Sequence, residues 1–427
     1  METLGGINYK ILICYAIAWI ITAICLRKGV KLIGKLAYFT ATVPYAIIAI
    51  LFVRSITLDG AKTGMDYFIL KPDFSRIFDP TVLRNAASHI CYSLSIGFGG
   101  MISMASYNPS SHNPYITAAT LTIADGIMSL FGGLAVFSIL GFMSKQLNVP
   151  IDEVIQSGTG LAFVAYPEAM SRLPLPWLWS FLFFIMIWIL GISTQFGFVE
   201  AICTAIYDQF PATQRHRSLL VYTICFILWC CGILICTRAG IFYFNVFNDY
   251  TASFALMVLL FLEIVLVCHI YGIKNYIYDL RSMMGIPKTT LAKWFGPTGY
   301  YPAFVWTVIC PIVCAIIFVL ALATQITHNM TYGKGTRIYV YPNWSIAFGW
   351  MLSLIPFIFP PAFVIYNLRK FHQKGLSWRE LLRLQPKWPS YTRHQMKGTG
   401  GAANSDRIGV ADPHESSKDL TKQQTEV

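Results

Sequence analysis

Residues 85–108 read NAASHICYSLSIGFGGMISMASYN. The stretch is apolar enough to enter a bilayer, yet Ser93, Ser95, Gly97, Gly99 and Gly100 interrupt its centre. Small, polar and flexible residues at mid-depth suit a helix that unwinds. The freed N–H and carbonyl groups of such a break, set in a protein interior, hold an ion or the charged end of a ligand. A second reading stays open, that of a continuous, close-packed helix, because Gly and Ser also let backbones approach. Both readings place the chain in a membrane.

Composition agrees. The chain has 427 residues, 56% hydrophobic and only 12% charged, with a mean hydropathy of +0.56. That is an all-α polytopic membrane protein. The net charge of +12 does not call for a nucleic acid partner, since Lys and Arg gather in short loops and the tail, where they orient the chain in the bilayer. The 11 cysteines lie mostly within apolar segments, as do Cys225, Cys230, Cys231 and Cys310, without zinc spacing, and read as packing thiols. The chain carries no phosphate-binding loop and no nucleophile–base pair, so it is not expected to be an enzyme.

Nine apolar stretches have about the length a bilayer requires: 9–26, 36–53, 86–107, 118–143, 177–207, 218–236, 250–273, 303–324 and 344–368. Arg27, Lys28, Lys31 and Lys35 assign the first loop to the cytoplasm, and Arg369, Lys370 and Lys374 assign the C-terminal tail there. An odd count then puts Met1 outside with no signal peptide, so further spans are expected before it. The loop 145–174 falls outside, with Gly158, Gly160 and Pro167 expected to break its helical pieces. Asn329 heads a glycosylation triplet on the same side. Residues 1–394 are expected to form the membrane domain and 395–427 a disordered cytoplasmic tail. Its end, Thr425-Glu426-Val427, suits a PDZ groove, though any C-terminus is an equally good account.

Ionisable residues inside apolar stretches face a bundle interior or a wet cavity, because charge is costly in lipid. Asp125, Glu200, Glu263 and His89 are such residues. Asp125 has Ser129 one turn later, and a carboxylate with a hydroxyl suits a small hard cation. Glu200 follows a second polar interruption, Gly191-Ile192-Ser193-Thr194-Gln195. Glu263 reads as a helix cap or ion pair, and His89 as a hydrogen-bonded interior histidine.

Five segments in order carry a resemblance: KGVKLIGKLAYFTATVPY, LDGAKTGMDYFILKPD, SLSIGFGGMISMASYN, LGISTQFGFVEAICTAIYDQFP and FNVFNDYTAS. Together they resemble the neurotransmitter:sodium symporters, twelve-helix plasma-membrane transporters built on inverted five-helix repeats with broken helices. The resemblance covers roughly 1–394 and corresponds to that family's helices four to twelve. It implies sodium-coupled symport of a small amino acid or a relative of one by alternating access, Gly34 and Pro44 easing the fifth helix open. The other class that the residues leave open is a non-transporting scaffold or regulatory subunit of the same fold.

The resemblance also implies roles. Tyr92, Ser95, Gly97, Phe98, Thr194 and Phe198 fall at substrate contacts. Ser93 and Asp125 fall at one sodium site. Leu190 through its carbonyl, with Ser193 and Thr194 through side-chain oxygens, falls at another. His89, Ser93 and Ser129 fall at a chloride site, and Tyr107, Asp208 and Asn248 at gates. Three positions depart from the family pattern, with Asp125 in place of Asn, His89 in place of Gln, and Asn248, followed by Asp249, in place of Asp. Each puts the ordinary ion dependence or gate in doubt.

Overall fold

The computed structural model describes residues 4–27, 30–109, 111–154, 160–287, 289–327, 330–333, 339–373, 375 and 391. Asn329, the tail 395–427 and its PDZ-fitting Val427 lie outside the described residues. Among those described, eight helices are long and apolar enough to cross a membrane. The stretch expected as a further span, 86–107, is not one helix: it runs as two, Pro80–Ser93 and Gly100–Ala105.

The helices in order are α1 (Tyr9–Leu26), α2 (Val30–Ile56), α3 (Ala61–Leu70), α4 (Pro80–Ser93), α5 (Gly100–Ala105), α6 (Pro114–Leu147), α7 (Ile151–Val154), α8 (Tyr166–Ser171), α9 (Pro176–Gln209) and α10 (Arg217–Gly232). They continue as α11 (Gly240–Asp249), α12 (Leu256–Val265), α13 (Ile273–Met284), α14 (Thr290–Phe295), α15 (Tyr300–Phe304), α16 (Cys310–Thr327) and α17 (Asn343–Gln373). A short antiparallel hairpin, β1 (Thr331–Tyr332) and β2 (Tyr339–Val340), joins the last two. The chain divides into two compact units. The first takes Met1–Leu83, Tyr92–Tyr107 and Ala119–Asn245, and the second takes Arg84–Cys91, Asn108–Ala118 and Val246–Val427.

In the first unit local chemistry sets the helix ends. The Asn8 side chain accepts from the Lys10 N–H at 3.2 Å and caps α1. Pro176 opens α9, where a missing N–H costs nothing, after Leu175 turns the chain at φ 58°. Asp73 caps the turn Phe74–Arg76, and the Ser75 hydroxyl and N–H it accepts, together with Arg76, hold its carboxyl below the usual range. Pro44 sits inside an unbroken α2.

Two apolar cores hold this unit. One joins α2, α6, α8 and α9 through Leu51, Ile139, Leu140, Met170 and Phe183. The other joins α1, α9 and α10 through Leu26, Val199, Cys203 and Val221. Lipid is as apolar as these side chains, so close packing rather than water exclusion holds the spans together. At one point α3 meets α6 backbone on backbone: a Cβ at Gly64 would lie 1.9 Å from the Phe137 carbonyl oxygen, and one at Gly141 would lie 2.5 Å from the Gly64 nitrogen.

The loop 145–174 corrects one expectation. Pro167 does not break a helix, because it occupies the first turn of α8, where no helical N–H is lost. Gly160 precedes the wide turn Leu161–Ala165, and Gly158 lies outside the described residues.

The helix that starts at Gly240 corrects another. Helix begins ten residues before the expected 250, at Gly240, and continues through wide turns Tyr250–Ala255 and Leu266–Gly272. Gly, Arg and Asn in 237–249 read as a loop, yet Tyr243 and Val246 are buried and hold the helix in place. A wide turn leaves a carbonyl without its ladder donor. At Tyr250 the Ser353 hydroxyl of α17 donates to it at 2.7 Å, and the Tyr250 ring fills the space a Cβ at Gly349 would occupy.

Candidate functional site

The site is built in the first unit around the gap between α4 and α5. Residues 94–99 are not helical. Ser95 has φ 52°, Gly97 φ 80° and Gly99 φ 73°. Glycine takes these angles without strain, and serine does so at a cost of about 1–2 kcal/mol. Three left-handed residues within five turn the chain out of its helical ladder, so backbone groups that the ladder would have paired face sideways.

The break carries side chains with it. Phe98 stands between Tyr92, at 5.7 Å centroid to centroid, and Phe198 of α9, at 5.5 Å, edge to face on both sides. Phe198, Thr194 and Leu190 are spaced four residues apart and share one stripe of α9. Thus Tyr92, Phe98 and Phe198 are brought together, with Ser95 and Gly97 between the first two in the break.

Two clusters of oxygens lie on the elements that carry the aromatic group. At the end of α4 the Ser93 hydroxyl donates to the Asp125 carboxylate of α6 at 2.5 Å, and Ser129 follows one turn later on α6. On α9 the Leu190 carbonyl accepts from both the Ser193 and Thr194 hydroxyls, at 2.9 and 3.0 Å. Three oxygens therefore crowd around one point. Carbonyl, hydroxyl and carboxylate oxygens are the donors that hard cations take. Lone pairs bound up in these hydrogen bonds turn toward a cation once the hydroxyls rotate.

The gate residues separate. Tyr107 does not meet Asp208, which is exposed at the end of α9. The Tyr107 hydroxyl donates to Glu200 at 3.1 Å and lies 2.9 Å from the Thr204 hydroxyl. Glu200 is fully buried and accepts from Arg217 of α10 on both carboxylate oxygens, at 2.8 and 2.9 Å. The Arg217 guanidinium also lies over the Tyr207 ring at 5.4 Å. The sequence singles out Glu200 but not its partner Arg217. The available signal was an arginine, Arg217, one residue before the apolar run 218–236, with a carboxylate inside the preceding run.

The second unit holds the remaining residues. His89 and Asn248 are both exposed. Asp249, beside Asn248, faces Gln325 of α16 at 3.5 Å, so this carboxylate is engaged within its own unit.

Comparison with known proteins follows this geometry. The profile of the Sodium:neurotransmitter symporter family matches residues 1–371. The chain is 34% identical over 393 residues to the sodium-dependent transporter snf-5 of Caenorhabditis elegans, covering 92% of this chain and 53% of the relative. It is 35% identical over 410 residues to the sodium- and chloride-dependent taurine transporter of Bos taurus, covering 95% and 63%. It is 36% identical over 389 residues to the sodium- and chloride-dependent GABA transporter 2 of Rattus norvegicus, covering 90% and 61%. The chain thus spans between about half and three-fifths of the length of these relatives. Its all-α, many-spanning fold and its matched length lead to one conclusion: the chain belongs to the sodium:neurotransmitter symporter family.

Proposed function

We propose that the protein carries out sodium-coupled symport of a small amino acid or amino-acid-derived substrate across the plasma membrane. The observation that carries this reading is the broken segment 94–99, whose Phe98 packs on α9, together with the Ser93–Asp125 oxygens next to it in sequence and the Leu190–Ser193–Thr194 oxygens of α9. Relatives named as GABA, taurine and glycine transporters support the substrate class. No bond is made or broken, so the protein is not an enzyme.

In this reading the Leu190 carbonyl and the two hydroxyls below it supply one sodium site, and Ser93 with Asp125 supplies another. The Phe98 ring, held between Tyr92 and Phe198, forms an apolar wall against the body of the substrate. The turned-out backbone of Ser95 and Gly97 meets its charged end. Thr194 touches both ion and substrate, which couples the two. Tyr107 and Asp208 act at the cytoplasmic gate and Asn248 at the outer one. His89, Ser93 and Ser129 remain the chloride candidates, but a fixed carboxylate at Asp125 lowers the need for a mobile anion. The tail ending in Val427 offers a PDZ contact, and Asn329 a glycan site.

The test is uptake of labelled glycine, taurine and GABA by cells expressing the complete gene product, with sodium and with choline in its place. Accumulation that requires sodium is expected for at least one substrate. Loss of the Thr194 hydroxyl leaves a hard cation one ligand short, so Thr194→Ala should raise the half-saturating sodium concentration roughly tenfold. Uptake unaffected by removal of sodium overturns the proposal. An unmoved half-saturation in Thr194→Ala removes that residue from the site.

A further inference from the structure

Away from the broken segment, the last turn of α2 and the first turn of α9 frame an open groove lined by Ala49, Ile50, Val53, Arg54, Thr57 and Trp179. Its walls are apolar along α2, where Ile50 and Val53 are exposed. Its end is not. Arg54 donates to the Thr57 hydroxyl at 2.8 Å and lies over the Trp179 ring at 5.8 Å, while the Trp179 indole N–H donates to the Pro174 carbonyl at 2.8 Å. The guanidinium is thus held in place by a ring and a hydroxyl, neither of which cancels its charge. Among the described residues the ion pairs are Arg76–Asp73, Lys145–Asp59, Arg172–Glu168 and Arg217–Glu200, and none engages Arg54.

Its position in the membrane adds to this. Arg54 lies in the last turn of a spanning helix and Trp179 in the first turn of another. Helix ends are where tryptophans and arginines meet the polar headgroups. A fixed cation at headgroup depth, above an apolar furrow descending along a helix, is complementary in charge and shape to one class of molecule. We propose that this groove is a phospholipid site. The phosphodiester pairs with the Arg54 guanidinium, which presents planar N–H donors suited to phosphate, and one acyl chain lies along Ala49, Ile50 and Val53. Nothing in this proposal depends on the transport reading.

The probe is a photoactivatable phosphatidylcholine, with the reactive group midway along one acyl chain, added to the purified protein in detergent micelles. Cross-linked peptides from 47–57 and from 176–182 are expected. Arg54→Gln should reduce labelling there roughly tenfold, in line with the loss of a charge-assisted hydrogen bond, whereas Arg54→Lys should keep most of it. Ala49→Trp, which fills the furrow and leaves the charge, should also reduce labelling, so the result does not hang on a single variant. Size-exclusion profiles confirm that each variant is folded. Equal labelling of Arg54→Gln and the unmutated protein overturns the proposal. So does equal labelling by a diacylglycerol probe lacking the phosphate, or displacement by a sterol but not by unlabelled phosphatidylcholine.

Discussion

The first unit contains two polar clusters at the heart of apolar helices, and they are built in opposite ways. Around Glu200 the carboxylate is fully engaged: Arg217 takes both of its oxygens, Tyr107 adds a donor, and Glu200 has no solvent exposure. Around the break at 94–99 no side-chain cation answers the oxygens: Ser193 and Thr194 pair with the Leu190 carbonyl, and Ser93 with Asp125. Ser93, Ser193 and Thr194 keep only hydroxyl contacts that rotation undoes. The first cluster is a lock and the second a set of open valences. Polar groups inside a membrane protein thus divide by whether the partners that neutralise them are already within the chain.

If this division is real, removing one partner of the lock should have the largest effect on folding. Arg217→Ala or Glu200→Ala leaves an uncompensated buried charge, at a cost of about 3–5 kcal/mol. The check is the thermal midpoint of the detergent-purified protein by fluorescence-detected size exclusion. Replacing both residues with methionine should restore much of the loss. A single substitution that leaves the midpoint unchanged would break the comparison at once.

Gly97→Ala should cost less, about 1–2 kcal/mol, because alanine must adopt φ 80° there. The same melting assay reads it, and a neutral result would mean that the break relaxes easily. Asp125→Asn tests the open cluster for charge rather than fold. It should leave the midpoint nearly unmoved while strengthening the dependence of uptake on chloride severalfold, measured with gluconate as the substitute anion. Strong chloride dependence in the unmutated protein, unaltered by Asp125→Asn, counts against a fixed-anion role. Smallest of all, Lys145→Ala removes the exposed pair with Asp59, seen at 2.5 Å, and should cost under about 1 kcal/mol. A larger loss would show that exposure is a poor guide to which pairs lock.

Most of the fold was legible because span length and apolarity are dictated by the bilayer. The stretch 9–26 matches α1 residue for residue. The break was legible because glycine and serine cluster where a plain span has no use for them. The start of α11 was not, because Asn245 and Asn248 look like loop residues until the packing of Tyr243 and Val246 is known. Nor was the Glu200–Arg217 pair, one member inside the apolar run 177–207 and the other just ahead of the run 218–236. Periodicity reports which face a residue takes and says nothing of which helix comes to meet it. The ion-site residues came from resemblance to a family, and the structure adds which of them approach one another.

The glycines at 64 and 141 have a mechanical consequence. Where side chains lie between two helices, each can slide by a rotamer change without the other following. Between α3 and α6 that cushion is missing at Gly64 and Gly141, where backbone rests on backbone, although Phe68 stacks on Phe137 one turn away. Spin labels on Lys62 and Gln146 should therefore keep one narrow separation under every ionic condition, and a broad or two-peaked distribution would reveal slack. At Gly64 and Gly141, α3 and α6 cannot slide past one another without backbone meeting backbone, so a shift of either at this point pushes directly on the other.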